Sequence, residues 1–181
     1  MPEETANRAW LEQDLGTLIE ALTLVDLQKH FLRSRWLDQV LWMEGRANRA
    51  RDRYYALRMI TIIGGVIVPA LVSLSVDGPV HPALRWTTFG LSLLVAISVA
   101  VEEFFHYGER WRNYRRTEEW LKLEGWQFFQ LSGPYSDYLD HAAAYRAFAG
   151  RVEAIIQRDV EVYITQVVQE KTEEPKKPGA Q

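Results

Sequence analysis

Two uncharged apolar runs in the middle of the chain constrain its fold more than any other feature. They cover Met59 to Val76 and Trp86 to Val101, 18 and 16 residues, with nine residues between them. A helix needs about 20 mostly apolar residues to cross the roughly 30 Å hydrocarbon core of a bilayer. Arginines at the ends of such a run can extend their charged groups to the lipid headgroups, which lengthens both runs. We therefore predict two membrane spans, over about 57–76 and 83–102.

The alternative is that both runs form buried core helices of a soluble domain. A surface helix of a soluble protein carries one apolar stripe, whereas apolar residues surround the whole circumference of each run here. The overall composition conceals this feature, since 25% of the residues are charged and the net charge is only -3. A secretory signal peptide is excluded because about 55 mostly polar residues precede the first run. We favour the membrane hairpin.

The arginines indicate an orientation. Positive residues concentrate on the cytoplasmic side of membrane proteins. Only Arg85 and His81 lie near the connecting loop, Asp77 to Pro82, in which glycine and proline favour a tight turn. We therefore expect a multi-pass protein of the inner (cell) membrane with both termini in the cytoplasm. The arginines that flank the two spans are Arg46, Arg49, Arg51, Arg53 and Arg58 before the first, and Arg110, Arg112, Arg115 and Arg116 after the second.

The apolar periodicity continues beyond both spans. Heptad spacing of apolar residues is typical of helices that pack along one seam. The exceptions in the second seam are Glu118 and Gly125. We expect Trp111, Trp120 and Trp126 to lie in the core of the bundle, since they are too far along the helix to reach the membrane interface. We predict an all-α fold, a two-pass transmembrane helical hairpin whose helices extend into a cytosolic antiparallel bundle with a C-terminal third helix. The seams comprise Trp36, Val40, Met43, Ala47, Ala50, Tyr54 and Leu57; Phe104, Tyr107, Trp111, Tyr114, Leu121 and Phe128; and Tyr138, Ala142, Tyr145, Ala149, Val152, Ile156, Val160, Tyr163 and Val167.

The domain organisation follows from these seams. Residues 1–30 form an N-terminal helical segment, which we expect to pack on the outside of the bundle through leucines such as Leu15 and Leu18. Residues 31–168 form the two-transmembrane domain, with the bundle over 31–56 and 103–168. Ser136 is the expected N-cap of the third helix. Residues 169–181, rich in Lys, Glu, Pro and Gly, predict a disordered tail.

Tryptophan, tyrosine and arginine residues have characteristic spacings around the two spans. They are Arg35, Trp36, Gln39 and Trp42, with Pro69, then Arg110, Trp111, Tyr114, Arg115, Glu119 and Glu124, then Tyr135. These residues resemble the SLATT superfamily, two-transmembrane effector proteins that associate with SMODS and SLOG domains, and most of all a subgroup catalogued as a domain of unknown function. The resemblance implies a membrane effector of prokaryotic conflict systems that oligomerises into a pore, with a separate sensor or nucleotide-signalling protein as the trigger.

Two stripes of small residues are candidates for helix packing. Small side chains let membrane helices approach closely, and two helices alone cannot enclose an aqueous path. The stripes either pack the two spans of one chain together or leave a face for a neighbouring copy, and having two of them favours a homo-oligomer. The stripes are Gly65, Pro69 and Ser73 in the first span, and Ser92, Ala96 and Ala100 in the second.

Polar residues at the spans are candidates for a pore. Glu102 and Glu103 lie at the cytosolic end of the second span, where a symmetric assembly would place a ring of carboxylates that favours cations. The simpler interpretation is that they are solvated or pair with Arg58. Thr61 and Ser98, like Thr87 and Thr88, are candidates to line a path, although hydroxyls in helices often bond to their own backbone.

Other chemistry has weak support. Glu103 and His106 have the Glu-x-x-His spacing of di-iron bundles, but no second such motif occurs, so we expect no metal. Nor does the sequence contain the common enzyme motifs, and no cysteine is present. We expect neither catalysis nor a cofactor. Arg110, Arg112, Arg115 and Arg116 suit headgroup contact or pairing with Glu118 and Glu119 better than a nucleotide phosphate.

Two functions remain. The first is a homo-oligomeric pore or channel in the lipid bilayer. The second is a non-conducting membrane adaptor whose bundle recruits a soluble partner. A lipid-modifying or metal enzyme is a weaker third interpretation, and nucleic acid is not expected among the partners.

Overall fold

The computed structural model describes residues 2–74 and 82–173, with side chains over 9–73 and 82–161, and this part of the chain is helical without strands. The predicted all-α class is confirmed. A π-helical turn, Leu32–Leu37, and a 3-10 turn, Gly133–Tyr135, accompany six α-helices. These are α1 (Pro2–Ala21), α2 (Asp26–Phe31), α3 (Asp38–Leu74), α4 (Pro82–Phe105), α5 (Tyr107–Phe129) and α6 (His141–Glu173).

Two of these helices are long and apolar enough to cross a membrane. The apolar windows lie in the helical stretches Asp26–Ser73 and Pro82–Phe105, and 6% of the residues in each window are buried. The core helix of a soluble protein would be mostly buried, so the low burial favours the membrane interpretation. The predicted connecting loop lies largely outside the described residues, as do 75 and 76 of the predicted first span.

The chain divides into two compact units. The hairpin unit comprises Gly45–Tyr114, and the bundle unit comprises Met1–Glu44 with Arg115–Gln181. Helices α3 and α5 contribute residues to both units.

The bundle unit has an aromatic core. The Phe128 and Phe148 rings stack with their centroids 4.3 Å apart, and Trp36 meets Phe148 edge-on at 6.1 Å. Leu15 and Ile19 of α1 are buried in the same core. The N-terminal helix therefore packs on the bundle through Leu15, one of the leucines expected to make this contact, and it also supplies Ile19 to the core.

The two exceptions in the predicted seam of α5 both have structural causes. Gly125 lies against Trp36, and a Cβ atom at this position would overlap the indole ring. The Trp36 indole Nε1–H donates a hydrogen bond to the Leu121 carbonyl oxygen at 2.9 Å. Glu118 is fully buried and pairs with Arg115 and Lys122 at 3.0 and 2.5 Å. The seam thus continues through both positions.

The start of the third helix differs from the prediction. Helix α6 begins at His141, and the Asp140 carboxylate accepts a hydrogen bond from the Ala143 N–H at 2.8 Å. Asp140 is therefore the N-cap, because its oxygen satisfies an N–H that has no partner within the helix. Ser136 instead donates its hydroxyl to the Gly133 carbonyl oxygen. The helix continues to Glu173, and 174–181 of the predicted tail lie outside the described residues.

The buried face of α6 also differs from the predicted seam. Val152 and Ile156 are buried as predicted, whereas Val160 is exposed. Ala144 and Phe148, which the predicted seam omits, are fully buried. The difference arises because the face turns with the 3.6-residue period of the helix and not with a strict heptad.

The tryptophans of α5 occupy different environments from those expected. We expected Trp111, Trp120 and Trp126 to lie in the core of the bundle. Trp120 and Trp126 are 38% and 45% exposed, and Trp111 belongs to the hairpin unit. The core tryptophan of the bundle is Trp36.

Candidate functional site

The hairpin unit packs α3 against α4 through a glycine. Gly64 is buried, and a Cβ atom at this position would overlap the Val95 side chain. Ser92 and Ser98 lie on the covered face of α4, together with Val95. Close approach at Gly64 therefore sets which face of each helix is internal to the hairpin.

The predicted small-residue stripe of α3 lies outside this contact. Gly65, Pro69 and Ser73 are exposed, and a Cβ atom at Gly65 would meet nothing within 4 Å. Consecutive helix residues point about 100° apart, so the choice of Gly64 for the contact turns Gly65 away. Of the stripe in α4, Ser92 is partly buried, whereas Ala96 and Ala100 are exposed. Most of the predicted packing residues are thus available to a neighbour.

The hydroxyl groups of the spans bond to their own helices. Thr61 donates to the Leu57 carbonyl oxygen at 3.0 Å, and Ser98 donates to the Leu94 carbonyl oxygen at 2.8 Å. Thr87, Thr88 and Ser92 make the same bond to the residue four positions earlier. This outcome was the alternative to a pore lining, and it satisfies the hydroxyl donors within each helix.

The two carboxylates at the end of α4 have different exposures. Glu102 is partly buried and Glu103 is exposed. Among the described residues neither forms an ion pair with Arg58, so the pairing that we considered is not present. Both side chains remain candidates for a polar ring at the end of the span.

His106 interrupts the path from α4 to α5. It has a φ of 48°, in the left-handed region, where histidine is one of the better tolerated side chains. The seam is broken here, and Phe104 is 75% exposed although it is a predicted seam residue. Glu103 and His106 therefore do not share one helix face, which removes the geometric basis of the Glu-x-x-His motif.

An aromatic cluster surrounds the start of α5 in the hairpin unit. Trp111 stacks on Tyr54 with centroids 6.3 Å apart and contacts Tyr55 at 5.7 Å. The Arg53 guanidinium lies over the Tyr107 ring, 5.5 Å from its centroid. The predicted motif residue Trp111 thus packs close to the ends of the apolar windows.

Ionic contacts hold the bundle unit together through the motif residues. The Arg35 guanidinium and the Glu153 carboxylate are 2.7 Å apart, and this contact lowers the pKa of Glu153. Arg115 pairs with Glu118 and, at 2.9 Å, with Glu119. Pairing of Arg115 with the neighbouring glutamates is therefore confirmed. The pairs of Arg35 with Glu153 and of Arg115 with Glu119 are partly exposed and contribute modestly to stability, whereas the Glu118 carboxylate is buried and needs its cationic partners.

A buried carboxylate connects the 3-10 turn to α5 and α6. Glu124 accepts hydrogen bonds from the Tyr135 hydroxyl and from the Arg151 Nε, the latter at 2.5 Å. Burial, reinforced by the Glu124 contact, raises the pKa of the Tyr135 phenol. A buried charge is costly unless it is paired and hydrogen-bonded, and Glu124 is both. Motif residues Trp36, Glu124 and Tyr135 thus all contribute contacts that stabilise the bundle unit.

The remaining motif residues lie toward the surface. Trp42 is 42% exposed, and Arg110 is exposed. Gln39 and Tyr114 are partly buried. Hence the structure collects the motif residues into two separate groups, one in each unit.

A groove between α5 and α6 was not anticipated from the sequence. It has a volume of about 460 Å³ and is lined by Trp120, Leu123, Ile155, Arg151 and Arg158 among others. Arg158 lies 5.4 Å from the centroid of the Trp120 ring. The signal that our prediction of a core position for Trp120 overlooked is the heptad seam itself, because Trp120 and Leu123 fall between its positions and so on the outer face of α5.

The fold and these sites define a class, helical proteins with two helices able to span a membrane and a separate helical bundle. A family model described as a protein of unknown function, DUF4231, matches residues 38–143. This match covers more than half of the chain, and the chain belongs to that family. Neither the curated proteins nor the solved structures contain a match.

Proposed function

We propose that the protein is a two-pass inner-membrane protein with cytoplasmic termini, whose hairpins assemble into a homo-oligomeric pore. The observation that carries this proposal is the exposed small-residue face of α3. Gly65, Pro69 and Ser73 are not used in the contact between α3 and α4, which Gly64 makes with Val95. In lipid, such a face is suited to helix association because it permits close backbone approach.

The resemblance to the SLATT superfamily supports the same proposal. Its members are proposed to open pores in response to a nucleotide-signalling partner. In a symmetric assembly, Glu102 and Glu103 would form a carboxylate ring at the inner mouth and favour cations. A separate sensor protein would supply the trigger.

The adjacent glycines provide a matched test of assembly. Gly65→Leu is expected to convert the oligomer to monomer and to abolish ion flux in liposomes, because it fills the exposed face. Gly64→Leu is expected to disrupt the hairpin itself, with loss of protein stability. The measurements are light scattering in detergent and fluorescent-ion flux after reconstitution. Unchanged subunit number in Gly65→Leu would contradict this mode of assembly.

The groove between α5 and α6 favours a second function, a non-conducting adaptor. Exposed Trp120 and Leu123 beside Arg151 and Arg158 suit an acidic amphipathic helix of a soluble partner. Affinity capture with the detergent-solubilised wild-type protein and with Trp120→Ser distinguishes the two functions. A stoichiometric soluble partner that the variant loses, together with no flux from the confirmed oligomer, would favour the adaptor over the pore.

A further inference from the structure

Aromatic rings form a platform in the hairpin unit, next to the end of the first apolar window. Tyr54 and Trp111 stack, and Gly108 makes room for them, since a Cβ atom there would lie 2.9 Å from Tyr54 Cε2. Tyr54 precedes the predicted span by three residues, about 4.5 Å along a helix. Tyrosine and tryptophan are enriched at this level of membrane proteins, because their rings are apolar and their polar atoms face water.

Arginine side chains surround this platform. Arg53 lies over the Tyr107 ring, and Arg112 Nη1 is 3.6 Å from the position that a Gly108 Cβ would occupy. Arg58 and Arg110 are exposed. Within the described residues, these four arginines have no ion-pair partner, whereas Asp52 pairs with Arg51 at 3.0 Å. We name this site the collar. It comprises the platform, formed by the stacked Tyr54 and Trp111 rings, and the four arginines Arg53, Arg58, Arg110 and Arg112.

Exposed phenylalanines adjoin the collar. Phe105 stacks on Tyr107 with centroids 5.3 Å apart, and Phe104 meets Phe105 edge-on at 5.0 Å. Phe104 is one of the most exposed apolar side chains of the described residues. A ligand that carries a phosphate beside an apolar chain would satisfy both the arginines and the phenylalanines, whereas a free phosphate would contact the arginines alone.

We propose that the collar binds the phosphate groups of anionic phospholipids in the cytoplasmic leaflet, with their acyl chains against Phe104 and Phe105. A guanidinium group is suited to this role because its planar fork matches two phosphate oxygens. The anionic lipids of that leaflet attract basic segments next to a span. This inference rests on the membrane placement proposed above and adds a lipid partner to it.

The test uses the full-length protein in nanodiscs of phosphatidylcholine alone or with phosphatidylglycerol, and native mass spectrometry counts the retained lipids. The triple variant Arg53→Gln, Arg110→Gln, Arg112→Gln is expected to weaken phosphatidylglycerol binding by about tenfold or more. Its matched control removes an equal number of positive charges from the bundle unit, with Arg33→Gln, Arg35→Gln and Arg146→Gln, and is expected to leave binding within about twofold, because none of these arginines belongs to the collar. A further variant replaces the same three collar arginines, Arg53, Arg110 and Arg112, with lysine and so keeps their positive charge. It separates a loss of lipid binding from a loss of folding in the glutamine variant.

Four outcomes would overturn the proposal. Equal weakening in the collar variant and the control would show a general effect of charge. Displacement of phosphatidylglycerol by inorganic phosphate at similar concentration would identify a free-phosphate site. Wild-type protein that resists carbonate extraction but retains both lipids equally would overturn the lipid site alone. Release of the wild-type protein from membranes by carbonate would overturn the membrane function as well.

Discussion

Gly125 shows how a single residue sets the packing of the bundle unit. Its Cα hydrogen faces the Trp36 indole, whose Nε1–H bonds to the Leu121 carbonyl oxygen one turn earlier on α5. The heptad pattern alone presents this glycine as a defect. The structure shows that it allows the tryptophan to enter the helix interface.

Gly125→Ala is expected to destabilise the protein by about 1–3 kcal/mol, because the added methyl group overpacks a fully buried contact. Thermal unfolding of the detergent-solubilised protein measures this change, at roughly 2–4 °C per kcal/mol. Gly150→Ala is the control, since a Cβ atom there meets nothing within 4 Å. The control is expected to keep or raise the Tm, because alanine favours a helix more than glycine does. Equal Tm values for Gly125→Ala and wild type would refute the packing role.

Asp159 gives the bundle a predictable pH response. Burial raises the pKa of its carboxyl above the ordinary 3.8, although the Thr117 hydroxyl opposes this by donating a hydrogen bond to it at 2.9 Å. As the pH rises above 3.8, the unfolded chain releases this proton first, so ionisation of Asp159 lowers the stability of the folded state. At neutral pH the charged form is therefore unfavourable in the fold.

Asp159→Asn is expected to raise the Tm at pH 7 by roughly 1–3 °C, because asparagine keeps the acceptor for Thr117 without the charge. The advantage should shrink as the pH falls through the raised pKa, where the wild-type carboxyl is protonated. Unfolding curves of both proteins from pH 4 to pH 7 measure the difference. A difference that is constant across this range would contradict the assigned cause.

At the scale of elements, the break between α4 and α5 depends on His106. Its N–H donates to the Glu102 carbonyl oxygen at 2.9 Å, and its own carbonyl oxygen accepts from the Glu109 and Arg110 N–H groups. The hydrogen bonding thus continues through a residue whose φ is left-handed. Because of this change in backbone direction, the heptad positions of α4 do not continue into α5. This explains why Phe104, a predicted seam residue, is exposed, whereas Leu121 and Phe128 of α5 are buried.

His106→Val is expected to lower the Tm relative to His106→Gly, because a β-branched residue costs about 1–2 kcal/mol in the left-handed region and glycine does not. Both variants remove the imidazole, so their difference isolates the backbone conformation. Differential scanning fluorimetry of the two proteins measures it. Equal melting temperatures would indicate that the break relaxes to a continuous helix.

At the scale of the whole molecule, the proposed topology is directly testable because the chain contains no cysteine. A cysteine that replaces Gly78 in the connecting segment is expected to react with a membrane-impermeant maleimide on intact spheroplasts. A cysteine that replaces Gln130 is expected to react only after the membrane is permeabilised. Labelling of both residues in intact spheroplasts, or of neither, would contradict the orientation that the arginines predict.

The sequence by itself determined the helical class, the positions of the two apolar helices and the seam of α3. These depend on composition and periodicity along one helix, which are local properties. It also indicated that span hydroxyls bond to their own backbone, since that partner is four residues away.

Only the tertiary structure decided which glycine of the Gly64–Gly65 pair packs against Val95, which side chains Glu118 and Gly125 contact within the seam, and that Trp120 and Trp126 are exposed. The groove beside Trp120 and the arginines around Tyr54 likewise combine residues from different helices. Such contacts depend on the rotation of one helix against another, and a shift of one residue turns a side chain by about 100°. Periodicity along one helix predicts its buried face only approximately. The residues of the neighbouring helix determine which side chains are buried.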